Sequence, residues 1–259
     1  MTEKLEGIWP EKKHQAAVSL TFDDGGPTQL NRALPQMDKR GLRGTFYLCP
    51  RGDDYAKQLA PWKDVAKRGH EIGNHTLSHT CSINLHMYPP ARGLESMTLE
   101  SIEADILEAE KRLREVFPDI TKRSFCYPCY QTHVGQGLTR HSYVPIVAKH
   151  FVAGRASGEY GLPNHPLNCD LHCLVCQPCE RMPGAELIGL AEQAAKRVRW
   201  IVFTFHSFDG GRLGINEFDF LELLDHLDIH RDRLWTAPVA EVAQHLMKVR
   251  KERGIVSRS

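Results

Sequence analysis

The sequence predicts an α/β fold built on a parallel β-sheet. Seven runs of apolar, β-branched and aromatic residues alternate with seven amphipathic stretches along the 259 residues, and this alternation is typical of parallel sheets with connecting helices. The chain is 41% hydrophobic and 25% charged, which is ordinary for a globular protein of this length. Because there is no internal repeat of fixed period and no low-complexity linker, we expect a single domain over residues 1–259.

The predicted strands are short, and the first is the clearest. It ends in Asp23 and Asp24, which two glycines follow. In chain order, the strands are predicted at residues 17–22, 44–48, 71–74, 124–127, 151–156, 201–205 and 234–237. In α/β folds the chemistry lies at the carboxyl ends of the strands, so the residues that follow these runs are candidate site residues.

The predicted helices lie between and after the strands. The clearest is 98–116, where apolar residues form one stripe among acids and bases. The helices are predicted at residues 29–40, 55–67, 98–116, 138–148, 185–197, 217–227 and 239–251. Residues 157–182 are rich in Pro, Asn and Cys, and we interpret them as a large Cys-rich loop over the mouth of the fold.

Charge and hydropathy limit the partners. The formal net charge of +1 gives no electrostatic basis for binding nucleic acid or an anionic membrane. Residues 1–10 are charged where a signal peptide needs an apolar core, and no apolar run reaches the length of a membrane span. We therefore expect a soluble cytoplasmic protein, although a secreted protein with its leader removed would look the same.

Asp23, Asp24, His75 and His79 indicate a metal site. Adjacent carboxylates repel each other unless a cation lies beside them. The two histidines are four residues apart, a spacing that puts both rings on one side of a helical turn. One carboxylate and two imidazoles make a three-ligand site with open positions, the form of catalytic metal sites. The alternatives are aspartates that cap the following helix and histidines that are merely solvated.

These motifs resemble those of a known family. Thr-Phe-Asp-Asp-Gly at 21–25, followed by His-Thr-x-x-His at 75–79, is similar to the first two motifs of the polysaccharide deacetylases, the NodB-homology or carbohydrate esterase family 4 enzymes. An open doubly wound sheet explains the same pattern of strands and helices, but the resemblance favours a distorted (β/α)7 barrel.

The resemblance implies roles for the first two motifs. Asp24, His75 and His79 would bind a divalent cation, and Asp23 would be the general base that takes a proton from the metal-bound water. Mixed histidine and carboxylate ligands make Zn²⁺ the default, and Co²⁺, Ni²⁺ or Mn²⁺ would suit the same site.

His206 follows the strand predicted at 201–205. It resembles the family's general acid, which protonates the leaving amine; the alternative is a histidine that only packs at a strand end. Asp170 and Asp209 are candidates to polarise its ring.

The third motif departs from the family. The family reads Arg-x-Pro-Phe/Tyr-Gly, whereas this chain has Cys-Tyr-Pro-Cys-Tyr at 126–130. Cys126 takes the place of the arginine beside the base, so we expect the pKa of Asp23 to rise. The oxyanion hole uses a backbone N–H, here that of Cys129, which a side-chain change leaves in place. We propose Arg155, at the end of the next strand, as the replacement partner of Asp23; the alternative is an ordinary surface arginine.

Eight cysteines are present, and without an export signal we interpret them as thiols or metal ligands. Four of them lie within eleven positions, and their overlapping spacings leave open a structural metal, a redox pair or inert thiols. Of these, we favour a segment that binds no metal. These four are Cys169, Cys173, Cys176 and Cys179. Should Cys126 and Cys129 approach this loop, a disulfide or a mixed site would be possible.

The sequence therefore predicts a metal-dependent hydrolase that removes acetyl groups from an N- or O-acetylated carbohydrate. One alternative is hydrolysis of a small cyclic amide or imide, as in allantoinase-like enzymes. Another is a sugar-binding family member with impaired catalysis, which Cys126 favours and the retained acids and histidines oppose. Aromatic residues that would stack on a sugar, or simply pack in the core, are Trp62, Tyr88, Tyr130 and Tyr160.

Overall fold

The computed structural model describes residues 5–85, 93–157, 162–208 and 210–255. The strands are β1 (Ala16–Asp23), β2 (Thr45–Leu48), β3 (Glu71–Asn74), β4 (Ser124–Cys126), β5 (His133–Val134), β6 (His141–Ser142), β7 (Ala153–Arg155), β8 (Gln177–Pro178), β9 (Trp200–Phe205) and β10 (Leu234–Thr236). The helices are α1 (Leu34–Lys39), α2 (Tyr55–Leu59), α3 (Trp62–Lys67), α4 (Leu99–Val116), α5 (Val144–His150), α6 (Gly184–Lys196), α7 (Glu217–Ile229) and α8 (Val239–Glu252).

The seven predicted strands are confirmed, and the helices differ from the prediction in three places. The helix predicted at 29–40 begins as a π-helix over Gln29–Ala33, which α1 then continues. The helix predicted at 55–67 is two helices, because Pro61 has no N–H to continue the first one and instead precedes α3. The helix predicted at 138–148 begins only at Val144, since the residues before it form the antiparallel ribbon of β5 and β6.

The main sheet is parallel and curled, with the order β7-β4-β3-β2-β1-β9-β8. β1 is long enough to pair with β10 at its start and with β2 at its end, while β9 lies along its other edge. The predicted α/β fold with a distorted barrel is confirmed by this sheet. No helix in the described part of the chain combines the length and apolarity that crossing a membrane requires.

Part of the segment predicted as a mouth loop belongs instead to the sheet. Leu174 pairs with Arg155 of β7, and Gln177 in β8 pairs with Phe203 of β9. This part of the segment therefore lies between β7 and β9, because its backbone groups pair with both strands. Leu174 is fully buried there.

The period-two alternation of β1 explains how the site is positioned. Leu20 and Phe22 face outward and are fully buried in the core beneath the helices. Ser19 and Thr21 face the barrel interior, where their hydroxyls donate to backbone carbonyls at 2.8 and 2.7 Å. Asp23 is in phase with these two, so the strand delivers its carboxylate to the interior at the rim.

Candidate metal-dependent active site

Side chains from five strands meet at the carboxyl edge of the barrel. They are Asp23 and Asp24 at the end of β1, His75 and His79 after β3, Cys126 of β4, Arg155 of β7 and His206 after β9. The structure thus brings together the six side chains that the sequence analysis proposes as base, acid, metal ligands and partner of Asp23.

Asp24, His75 and His79 form a possible metal-binding group. Asp24 Oδ1 lies 3.7 Å from His75 Nε2 and 3.4 Å from His79 Nε2, and one ligand atom from each residue lies within 4.8 Å of the others. His75 Nδ1 donates to the Cys126 carbonyl at 2.9 Å, which leaves Nε2 free to bind. One carboxylate oxygen and two imidazole nitrogens suit Zn²⁺ and similar divalent ions.

Two other groups of possible ligands fit a cation less well. In the first, Asp23, His75 and Cys126 are close together, but Arg155 Nη2 lies 2.5 Å from Cys126 Sγ and would repel a second cation. In the second, Cys81 and Cys129 lie beside His79, but their sulfurs are joined in a disulfide. The Asp24 group is therefore the best candidate.

The prediction that the two histidines share a helical turn is wrong. The residues from His75 to Ser82 form an irregular loop, in which Thr76 and His79 adopt left-handed φ angles of 62° and 53°. Asp105 of α4 holds the loop by accepting hydrogen bonds from the Leu77 N–H at 2.9 Å and the Ser78 hydroxyl at 2.6 Å. Sequence reasoning missed Asp105, because it is one acid among many on an amphipathic helix.

Arg155 contacts Asp23 directly. Its Nη2 lies 2.6 and 2.5 Å from the two carboxylate oxygens, and both side chains are buried. Burial alone would raise the pKa of Asp23, but the charge and hydrogen bond of Arg155, together with His75 and His206, outweigh burial and the pKa falls to about 2. The expected rise in this pKa is therefore wrong. The reason lies in the sheet register, since Arg155 is the residue paired with Cys126 across β4 and β7.

His206 lies between two carboxylates. Its Nε2 is 3.7 Å from Asp23 Oδ2, and its Nδ1 is 3.4 Å from Glu180 Oε1. Burial alone would lower the pKa of His206, but Glu180 and the charge of Asp23 raise it above its ordinary value. Of the predicted polarising aspartates, Asp170 instead contacts His172, and Asp209 lies outside the described residues. Sequence reasoning missed Glu180, which only the pairing of β8 with β9 brings here.

Replacing Glu180 with glutamine is expected to lower the pKa of His206, because a neutral amide stabilises the imidazolium less than a carboxylate does. A group that acts as a general acid then loses its proton at lower pH. The alkaline limb of the kcat profile should move to lower pH, with kcat about tenfold reduced on that limb and little changed on the acid side. A pH–rate profile checks this, with Glu186→Gln on α6 as the control. A pH–rate profile that coincides with that of the wild type would show that Glu180 does not raise the pKa of the catalytic acid.

Cys129, whose N–H is the predicted oxyanion donor, lies in the loop after β4. It has a left-handed φ of 51°, and Tyr130, at the family's glycine position, has a φ of 60°. Within the described ranges, the Cys129 N–H has no hydrogen-bond acceptor. The Tyr130 ring lies over the Arg155 guanidinium at 5.3 Å, and its hydroxyl is buried without a partner in the described part of the chain.

The cysteines differ from the prediction, because Cys81 and Cys129 form a disulfide. Such bonds persist in oxidising compartments, and the cytoplasmic location stays a prediction. In the Cys-rich segment, Cys169 Sγ contacts Arg250, Cys176 Sγ contacts Arg155 and Cys179 Sγ contacts the Gln177 carbonyl. Each of these three sulfur atoms therefore contacts a different residue.

The four aromatic residues proposed for sugar stacking have different outcomes. Trp62 is buried and packs against Phe46 at 5.1 Å between ring centroids, so it belongs to the core. Tyr130 lies at the site, and Tyr88 and Tyr160 lie outside the described residues.

Comparison with known proteins agrees with the motifs. Residues 11–136 match the family model of the polysaccharide deacetylases, which confirms the resemblance. A peptidoglycan-N-acetylglucosamine deacetylase from Bacillus cereus is 30% identical over 106 residues, which are 40% of this chain and 42% of that protein. The chain spans less than half the length of the curated relatives it matches.

Two solved structures share the fold. A structure from Mycobacterium smegmatis assigned as a polysaccharide deacetylase has a TM-score of 0.63 and 16% identity, covering 97% of this chain and 95% of its own. A family 4 acetyl xylan esterase from Clostridium thermocellum, in complex with a cobalt ion, has a TM-score of 0.51 and 16% identity, covering 93% of each chain. At these identities the likeness concerns the fold alone.

Proposed function

This chain belongs to the polysaccharide deacetylase family, and from that premise we propose that it is a metal-dependent hydrolase that removes acetyl groups from a carbohydrate. The observation that carries the proposal is the buried Asp23, held ionised by Arg155, 3.7 Å from His206 and beside Asp24, His75 and His79. This proximity supports the roles that we propose: Asp23 as the base, His206 as the acid, and the other three residues as metal ligands.

A divalent cation held by Asp24, His75 and His79, most simply Zn²⁺, would lower the pKa of a water molecule and polarise the acetyl carbonyl. The residues of the chain perform the proton transfers. The ionised Asp23 accepts a proton from the attacking water. The Cys129 N–H donates to the carbonyl oxygen as negative charge develops on it.

His206 completes the reaction. Its raised pKa keeps the imidazole protonated to higher pH, so it is able to protonate the leaving nitrogen or oxygen as the bond to the acyl carbon breaks. The products are acetate and a free amine or hydroxyl. An amine is a poor leaving group unless it is protonated, which gives His206 its greatest effect on an N-acetyl substrate.

An N-acetylated amino sugar is the first substrate we propose, because the Bacillus cereus relative is a peptidoglycan-N-acetylglucosamine deacetylase. Impaired catalysis was suggested by Cys126, but Arg155 supplies the cation that Cys126 lacks. We therefore propose an active enzyme and not a sugar-binding protein with impaired catalysis.

The experiment tests the zinc-loaded protein on three substrates. Acetate release is measured with N-acetylglucosamine oligomers and with acetylated xylo-oligosaccharides. Ring opening is measured with a five-membered cyclic imide that has no acetyl group. Acetate from the first substrate is the expected result. Acetate from the second alone would make the enzyme an O-deacetylase. Turnover of the imide alone, or of none of the three, would overturn the proposal.

A further inference from the structure

The Cys81–Cys129 disulfide joins two loops of the candidate site. It links residues 48 apart in the sequence, with their Cα atoms 5.8 Å apart. Cys81 follows the metal-ligand candidate His79 by two residues, and Cys129 carries the proposed oxyanion donor. The bond therefore spans two groups that must act on one substrate atom.

The two histidines are anchored differently. His75 donates from its ring to the Cys126 carbonyl at the end of β4, so a strand fixes it. His79 lies on the loop, where its backbone N–H donates to Thr76 Oγ1 at 2.9 Å and its Nδ1 is 3.8 Å from Cys81 Sγ. The disulfide sulfur thus borders the ring that presents Nε2 to Asp24.

The backbone on the other side of the bond also needs support. Cys129 and Tyr130 are consecutive residues other than glycine with left-handed φ angles, a region that such residues adopt only when the surroundings enforce it. A covalent link at Cys129 holds the first of them in place. A second link joins the same loops, since the Ser82 N–H donates to Gln131 Oε1 at 2.7 Å.

We propose that the Cys81–Cys129 disulfide is a positioning element that sets His79 and the Cys129 N–H at a fixed separation, so that its loss weakens metal binding and its reduction slows turnover. Cys81 is fully buried and Cys129 is partly exposed, so a reductant meets the Cys129 sulfur first. A thiol or phosphine reductant supplies two electrons, the S–S bond breaks, and each sulfur takes up a proton. This inference rests on the proposed function.

The test compares the oxidised protein with protein reduced by a phosphine, which is then removed without air. Zinc affinity, kcat and KM are measured on both, and circular dichroism verifies the fold. On reduction we expect kcat to fall about 10- to 100-fold with KM within about twofold. Because reduction frees two thiols beside His79 that are themselves zinc ligands, the effect on zinc affinity is measured on Cys81→Ala/Cys129→Ala, whose zinc dissociation constant should be about tenfold above that of the oxidised wild type.

Three variants serve as controls. Cys81→Ala/Cys129→Ala should show the reduced values with or without phosphine, and Cys81→Val/Cys129→Ala, which fills the buried space better, should do the same. Cys169→Ser keeps a hydrogen-bond acceptor for Arg250 and should respond to phosphine as the wild type does.

A folded, reduced protein with unchanged kcat would overturn the inference, and so would a folded Cys81→Ala/Cys129→Ala variant with unchanged zinc affinity. A loss of activity that only follows unfolding would also overturn it, because the bond would then be a structural link and nothing more. Zinc affinity separates this question from the proposed function: if the oxidised protein releases no acetate from any sugar, the function fails, whereas weaker zinc binding by the folded double-alanine variant still supports the positioning role.

Discussion

Replacing Arg155 with methionine is expected to lower kcat/KM about a hundredfold or more at neutral pH. Arg155 Nη2 contacts both oxygens of Asp23, and its charge is the largest of the effects that together outweigh burial and lower the pKa of that carboxylate. Without the guanidinium, burial dominates and the pKa of Asp23 rises. The base is then protonated where the enzyme works, and it accepts no proton from water.

The same replacement should lower the free energy of unfolding by about 3–5 kcal/mol, because it leaves a buried carboxylate without its partner. The sign of the pH dependence follows from the pKa of Asp23. In the wild type, a pKa lowered from 3.8 to about 2 contributes stability above the unfolded pKa, and this stability is lost as the pH falls through about 2. In Arg155→Met the pKa is raised instead, so this residue favours the folded state more at acid pH than at neutral pH.

A second replacement distinguishes positioning of the charge from general damage. Cys126 is paired with Arg155 in the sheet register, so Cys126→Arg combined with Arg155→Ala returns a guanidinium to the same carboxylate from β4. We expect this pair to recover at least tenfold in kcat/KM over Arg155→Met. Arg123, another buried arginine, pairs with Glu110 away from the site. Arg123→Met should destabilise the protein and leave the pH–rate profile unchanged.

Equal rates for Arg155→Met and the wild type at neutral pH would show that Asp23 does not depend on Arg155. A loss in Arg155→Met that the double variant does not reverse would mean that position matters as well as charge. Thermal melts on each variant keep a folding defect apart from a chemical one.

Replacing His75 with alanine is expected to abolish both metal binding and turnover. His75 supplies one of three candidate ligands, and its ring is buried and oriented by the Cys126 carbonyl. Two ligands hold a divalent ion far more weakly than three, so the bound metal should fall from about one equivalent to background after dialysis. Acetate release should fall by at least about a thousandfold.

The measurement is metal analysis of the dialysed protein by mass spectrometry, together with acetate release. His141→Ala, an exposed histidine on β6, is the matched control and should keep both metal and activity. Metal that survives in His75→Ala would place the ion elsewhere, with the cysteines of residues 169–179 the first residues to examine.

Periodicity predicted the order of strands and helices, and motif spacing predicted the candidate metal ligands of the site. The alternation of strands and helices is a local pattern, so the sheet could be predicted from it, and Asp23 follows its strand directly. Arg155 could be proposed because neighbouring strand ends converge on a rim. These inferences need only local structure and one rule of sheet geometry.

The remaining features depend on tertiary contacts that spacing does not encode. Glu180 reaches His206 because β8 pairs with β9, and that pairing turns a Cys-rich segment into part of the sheet. Asp105 lies on a helix, 28 residues after Leu77 and 27 after Ser78 of the loop it holds. The disulfide joins Cys81 to Cys129 across two loops that are 48 residues apart in the sequence.

The most direct test of the central claim is acetate release from an N-acetylglucosamine oligomer before and after chelation, with zinc then restored. We expect protein that carries about one equivalent of metal to release acetate. Acetate release should stop when the metal is removed and recover when one equivalent of Zn²⁺ is added back. Release that continues at the same rate in metal-free protein would contradict the central claim.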